Sequence, residues 1–206
     1  MTHKLNRTRD VLMHLKHYIK GRTIDMGAGS AKYRSIIKGH ASEYVAFDST
    51  PGGKIDVVGD VLKMPFEDES FDTVISSQVL EHVKRPWVMV AEISRILKTD
   101  GVCLLTAPFM APYHADPEDY FRYTQEGMKS LFQDDFEIVE CQPYGKTFMV
   151  FFEYVKQVYF SPYKKTRRGL WSERFLRYLE KVCFYLDDFV RNDQVYANVY
   201  IVARKK

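Results

Sequence analysis

Over about the first 140 residues, short apolar runs of strand character alternate with stretches whose apolar positions recur at helical spacing. That alternation predicts a parallel sheet with helices on both faces. Val11, Leu12, Leu15 and Ile19 share one side of a helix expected over about 8–20, which stops at Gly21. A strand over 23–26 runs into the turn Gly27-Ala28-Gly29, and a short helix is expected over 32–38. A second strand over 44–47 ends at Asp48, and a third over 55–58 follows the turn Pro51-Gly52-Gly53. Residues 71–76 make a fourth strand, Pro86 opens a helix carrying Val90, Ile93 and Leu97, and residues 102–106 make a fifth, buried strand. Thr124 is placed to cap a helix through Phe132, and strands over 136–141 and 197–202 complete the set.

Between those last two strands lie roughly 50 residues, against the usual connection of about 4 to 6. Phe148, Phe151, Phe152, Val155 and Tyr159 would line one face of a first helix there, and Phe175, Leu179, Val182, Leu186 and Phe189 one face of a second. The chain is therefore expected to be a single domain over 1–206 with an aromatic helical insertion at about 146–194. Such an insertion suits a lid over an acceptor, a homodimer surface or a peripheral membrane patch. Lys164, Lys165, Arg167 and Arg168, flanked by Tyr163 and Trp171, would match anionic headgroups. The plainer reading of the same stretch is a solvated linker between two core helices.

Composition narrows the class only a little. With 46% hydrophobic and 28% charged residues in 206, disorder and fibre are excluded. A net charge of +3 does not by itself point to nucleic acid. Cys103, Cys141 and Cys183 lie far apart with no C-x-x-C spacing, which reads as reduced thiols in a cytoplasmic protein. No secretory signal is expected at the N-terminus, and the apolar stretch 148–160 is interrupted by Glu153, Lys156 and Gln157 and is shorter than the roughly 20 residues of a membrane span.

The glycine turn after the first strand leaves backbone N–H groups pointing into the crevice where open parallel sheets bind ligands. A phosphate loop would need Gly-Lys-Ser/Thr, but Gly29 is followed by Ser30-Ala31-Lys32; a dinucleotide loop would need a third glycine where Lys32 stands. Acids supply the alternative. Asp25 precedes the loop, and Asp48, about 20 residues on, ends the second strand where a carboxylate can accept from a ribose diol. Asp60 ends the third strand. A cationic ligand fits this set better than a pyrophosphate.

The ordered set Asp25-Met26-Gly27-Ala28-Gly29, Asp48, Gly59-Asp60-Val61, Phe71 to Ile75, Leu80-Glu81-His82-Val83 and Arg95 to Gly101 resembles the class I S-adenosylmethionine-dependent methyltransferases of the type 11 domain group. The resemblance covers about 10–109 well and the last strands loosely. It implies a three-layer Rossmann-like sandwich around a mostly parallel seven-stranded sheet, its final two strands forming an antiparallel hairpin. The implied cofactor is S-adenosyl-L-methionine, with S-adenosyl-L-homocysteine as product. Asp25 would lie near the methionine amino group, the Gly27-Ala28-Gly29 backbone against the cofactor, Asp48 with Ser49 at the ribose, Asp60 with Val61 around the adenine, and Ser77-Gln78 beside the sulfonium. Glu81 and His82 would fix the local turn, touch cofactor, or bind metal as in a related quinone-pathway subgroup. That subgroup has an acid where Gln78 stands, so no metal is expected.

Methyl transfer to oxygen or nitrogen also requires removal of a proton. The segment 108–124 leaves the fifth strand at the crevice edge with many titratable side chains. His114 is the candidate base, and Asp119, Arg122 and Tyr123 are candidates to orient it or hold the acceptor. The bland alternative makes Asp119 and Arg122 a structural pair, the tyrosines packing residues and His114 a loop residue. Similar Pro-x-His-x-x-Pro-x-Asp-Tyr-x-Arg-Tyr-Thr stretches occur in bacterial methyltransferases associated with cell-surface polysaccharide assembly, which implies O-methylation of a small-molecule or glycan acceptor. The competing readings are a catalytically silent cofactor-binding subunit, a methyltransferase of a quinone-type or lipid-linked acceptor, and a nicotinamide oxidoreductase. Nucleic acid is not expected as a partner, because the basic cluster is short and no Asn/Asp-Pro-Pro-Tyr/Phe motif follows the fourth strand.

Overall fold

The computed structural model describes residues 5–115, 117–160, 169–190 and 194–206. Helix α1 (Thr8–Leu15) ends in a 3-10 turn (Lys16–Tyr18), followed by β1 (Arg22–Met26), α2 (Arg34–Lys38), β2 (Glu43–Asp48) and β3 (Val57–Val58). Next come β4 (Phe71–Ser77), a 3-10 turn (Leu80–His82), α3 (Pro86–Ile96), β5 (Leu97–Pro108), α4 (Gln125–Phe132) and β6 (Phe136–Tyr144). Helices α5 (Thr147–Phe160) and α6 (Gly169–Leu186) precede β7 (Asn198–Lys205).

One seven-stranded sheet orders these strands β3-β2-β1-β4-β5-β7-β6. From β3 to β5 all neighbours are parallel, and β7 runs antiparallel to both β5 and β6. The chain winds outward from β1 to β3 and returns to β4 on the other side of β1, so the order reverses between β1 and β4. Crossovers on opposite faces part at such a point and leave a crevice beyond the strand ends.

Alternation along the strands divides the core between two faces. Ile24, Met26, Val45, Phe47, Val74 and Leu105 pack against Met89, Val90, Ile93 and Ile96 of α3 and Met128 and Phe132 of α4. Tyr44, Ala46, Ile75, Leu104, Tyr200 and Val202 pack against Val11, Leu12 and Leu15 of α1 and Ile37 of α2. Each large apolar side chain buried in these layers contributes about 1.5–3 kcal/mol. Local signals agree with the packing. Pro86 opens α3, and Thr124 Oγ1 caps α4 by accepting from the Gly127 N–H at 3.0 Å.

Several elements differ from expectation. The third strand shrinks to Val57–Val58 because Ile55 closes a turn onto the Gly52 carbonyl and the Asp56 side chain accepts from the Ala46 N–H. Leu97 belongs to β5 and not to the helix before it, pairing with Phe71. The buried side of the insertion is rotated from the expected face. Met149, Phe152 and Cys183 form its core with Phe148, Leu176, Leu179 and Phe184, whereas Phe151, Phe175 and Phe189 are exposed. Asp187 fixes this arrangement: its carboxylate, at the end of α6, accepts from the Phe148 and Met149 N–H groups at 2.7 and 3.2 Å and caps the first turn of α5. The cysteines are free and buried, and among the described residues no helix is long and apolar enough to cross a membrane.

Candidate active site

The crevice beyond β1 and β4 is a cavity of about 800 Å³. Its floor is the glycine turn. The N–H groups of Gly27 and Ala28 both donate to the Phe47 carbonyl, which holds the turn against the end of β2. Gly27 adopts φ +73, and a Cβ there would sit 2.2 Å from Val79 Cγ2. Asp48 ties loop to strand: Oδ2 accepts from the Gly29 N–H at 2.8 Å and Oδ1 from the Thr50 N–H at 2.9 Å. Asp60 Oδ1 accepts from the Leu62 N–H at 2.8 Å.

Of the residues expected at the cofactor, Gly27, Gly29, Asp48, Ser49, Asp60, Val61 and Gln78 line this cavity. Asp25, Ala28 and Ser77 do not. Ala28 packs against the α1–α2 side of the core, and Ser77 Oγ is buried without a hydrogen-bond partner. Asp25 lies beneath the turn, 3% exposed, and accepts from the Tyr44 hydroxyl at 2.8 Å. Burial pushes its carboxyl up to about 6, against the opposing Tyr44 hydrogen bond. Because folding raises this pKa, the stabilising contribution is complete below the usual value of 3.8 and is lost as pH rises through about 6. Asp25→Asn is therefore expected to stabilise the fold at pH 8 by about 2–3 kcal/mol, with the advantage gone by pH 4. Urea unfolding at both pH values checks this; an equal difference at the two would sink it.

Gln78, at φ +57, turns the chain out of β4. Its Nε2 donates to Thr106 Oγ1 at 3.2 Å and to the Tyr144 hydroxyl at 3.1 Å, and Tyr144 in turn pairs with Thr8 Oγ1 at 3.0 Å. Gln78 also borders a second cavity of about 490 Å³, whose walls include Tyr33, Tyr144, Met110, Pro112, His114 and, from α5, Met149, Glu153 and Lys156. The insertion thus supplies a wall of this cavity. The basic stretch 164–168 with Tyr163 lies outside the described residues, as does the Trp171 side chain.

The segment after β5 is held by one ion pair. The Arg122 guanidinium grips both carboxylate oxygens of Asp119 and donates to the carbonyls of Ala111 and Pro112 at 3.2 and 3.0 Å. The Asp119 side chain is 1% exposed, accepts from the His114 N–H at 2.9 Å, and is held down to about 2, chiefly by Arg122. Tyr123 is buried, its hydroxyl donating to the Leu80 carbonyl at 3.2 Å. Asp119, Arg122 and Tyr123 line neither cavity; they fix the loop that presents His114, and His114 alone of the four lines the second one.

His114 meets residues of the turn after β4. Its ring lies edge-on to His82, centroids 5.2 Å apart, and Nε2 of each imidazole is 3.8 Å from Glu81 Oε1. Glu81 is fully buried, and neither carboxylate oxygen has a hydrogen-bond partner. The Glu81 carboxylate holds the His114 imidazole above its usual value, with burial opposing. The sequence reading missed Tyr33, Tyr144 and the polar face of α5; a lone tyrosine carries no signal that separates wall from core.

Residues 24–105 match the family model of a methyltransferase domain. An uncharacterized methyltransferase of Mycobacterium avium (strain 104) is 30% identical over 100 residues, covering 42% of this chain and 39% of that protein. The chain thus spans well under half the length of the curated relatives it matches. Among solved structures, an S-adenosylmethionine-dependent methyltransferase from Archaeoglobus fulgidus superposes with a TM-score of 0.62 at 18% identity, covering 95% of this chain and 93% of that one. A [4+2]-cyclase superposes with a TM-score of 0.65 at 16% identity, covering 95% and 78%. The reversal of strand order and the glycine turn with its partnering Asp48 both lie in the matched stretch, and residues 24–105 match the core of a class I S-adenosylmethionine-dependent methyltransferase domain.

Proposed function

We propose that the protein methylates a hydroxyl of a small-molecule or glycan acceptor bound in the cavity walled by α5. One observation carries this reading: the cavity at the switch point and the cavity at His114 meet at Gln78. Two chambers that share a wall residue place a donor and an acceptor next to each other, as transfer between two bound molecules requires.

The residues fit the cofactor. Asp48 ends β2 on the cavity wall, where its carboxylate can accept from a ribose diol, and Gly29 has nothing within 4 Å of where a Cβ would be, leaving the backbone open to close approach. When bound, S-adenosylmethionine supplies an electrophilic methyl group, so the protein's own work is binding, orientation and handling of one proton. Gln78, anchored by Thr106 and Tyr144, separates the chambers. The acceptor's proton is taken up at His114, which lines the acceptor cavity. Asn6, Asn198, Gln157, Glu153 and Lys156 on that cavity's walls exchange hydrogen bonds with a polyhydroxylated acceptor more readily than with a quinone ring.

A fold shared with a cyclase does not by itself determine a reaction. Incorporation of labelled methyl from S-adenosylmethionine into a glycan or small-molecule pool is the direct test, and no incorporation in the presence of tight S-adenosylhomocysteine binding would favour a silent subunit. His114→Ala is expected to lower turnover at least about tenfold while leaving S-adenosylhomocysteine affinity within about twofold. Unchanged turnover would remove His114 from the reaction.

A further inference from the structure

We infer that Glu81, His82 and His114 form a binding site for a divalent first-row transition-metal ion. The geometry of the unpaired atoms carries this. His82 Nδ1 lies against the Glu118 carbonyl and His114 Nδ1 against the Pro112 carbonyl, at 3.0 Å for the latter. A carbonyl can only accept, so each Nδ1 carries the hydrogen and each Nε2 is left with its lone pair. Both lone pairs face a carboxylate that is itself acceptor-only, fully buried and without a partner. Acceptors converge on acceptors.

A buried carboxylate in that state carries a large desolvation cost unless a cation meets it. One proton on His114 leaves the second imidazole facing the same oxygen at 3.8 Å, and two imidazolium rings with centroids 5.2 Å apart would repel. One divalent ion satisfies all three groups together. One ligand atom from each lies within 4.8 Å of the others, and small side-chain rotations bring them to the roughly 3.4 Å donor spacing of a tetrahedral site with bonds of about 2.0–2.2 Å. The carbonyls behind each Nδ1 are the outer partners that orient ligating histidines. Two nitrogens and one oxygen favour zinc, copper, iron or nickel over magnesium or calcium. Three protein ligands leave a coordination position open, and His82 borders the donor cavity while His114 borders the acceptor cavity. The missing acid at Gln78 is thus no bar to a metal: the third ligand comes from His114, 33 residues beyond Glu81 in the chain. The site stands on its own geometry; with an ion bound, the His114 lone pair would be taken up by coordination and the acceptor's proton would be handled at the open coordination position instead, and only that use rests on the methyl-transfer reading.

Chelator-stripped, tag-free protein titrated with zinc chloride in a calorimeter at pH 7.5 is expected to bind one ion per chain with a dissociation constant of about 1 μM or tighter. Cobalt(II) should give the visible absorption of a site with nitrogen ligands. Glu81→Gln keeps the side chain's shape and should weaken zinc binding at least about tenfold, as should His114→Ala. Circular dichroism melting of each variant confirms that it folds. Absence of stoichiometric zinc binding, or binding in Glu81→Gln equal to wild type, overturns the site. S-adenosylhomocysteine titrated into the same preparation separates the two readings: if it binds and zinc does not, only the metal site fails, and if zinc binds and it does not, only the methyl-transfer reading fails.

Discussion

Gly27→Ala is expected to weaken S-adenosylhomocysteine binding about a hundredfold or more and to destabilise the fold by about 2–5 kcal/mol. Two separate costs add. A residue with a Cβ at φ +73 loses about 1–2 kcal/mol, and that Cβ would also overlap Val79 Cγ2 at 2.2 Å, an overpacking cost of about 1–3 kcal/mol. Val79 lines the donor cavity and leads directly into the turn carrying Glu81 and His82, so relief of the clash moves the wall and the cluster together. Gly29→Ala makes the comparison, since φ is +52 there but nothing lies within 4 Å of the added atom. Chemical denaturation should show the smaller loss for Gly29→Ala, and Val79→Ala should recover part of the Gly27→Ala loss. Calorimetry showing Gly27→Ala binding within threefold of wild type would refute the role given to this turn.

Arg122→Met should be the most damaging change outside the cavities, costing about 3–5 kcal/mol in urea unfolding. It strips an Asp119 carboxylate that is 1% exposed of its charge partner and releases the Ala111 and Pro112 carbonyls at the same time. Asp119 would retain the His114 N–H and, at 3.6 Å, the His114 imidazole. With the loop loosened, His114 no longer holds its place in the second cavity, and under the proposed methyl transfer turnover should fall at least about tenfold. Asp119→Asn combined with Arg122→Met should cost less than the two single changes summed, since the orphaned charge is gone. Additivity of the two losses would show that the pair does not act as a unit.

The sheet was legible because its strands are short apolar runs bounded by turn residues, and part of the cavity lining because Asp48 ends β2 and Asp60 follows β3 by two residues. Both are local signals. What escaped depends on partners distant in sequence. Asp25 sits under the loop because Tyr44, projecting from the same face of the neighbouring strand, holds its carboxylate. The exposed Phe151, Phe175 and Phe189 misled because both insertion helices are apolar on several sides, and only the Asp187 cap and the Met149–Phe152–Cys183 contact select the buried one. Glu81 read as a turn residue. Its unpaired carboxylate has meaning only once the loop after β5 brings His114 beside it.

The excursion between β6 and β7 leaves and rejoins the sheet at adjacent rungs: Tyr144 pairs with Asn198, and the Ala197 N–H donates to the Gly145 carbonyl. Its two ends are stapled together by main-chain bonds that do not depend on the helices in between. The pair of helices is therefore an exchangeable cartridge. Variants with a different hairpin grafted between Gly145 and Ala197 should retain the cavity beyond β1 and β4 while the walls of the second cavity change, so this junction is the natural splice point for reshaping that cavity.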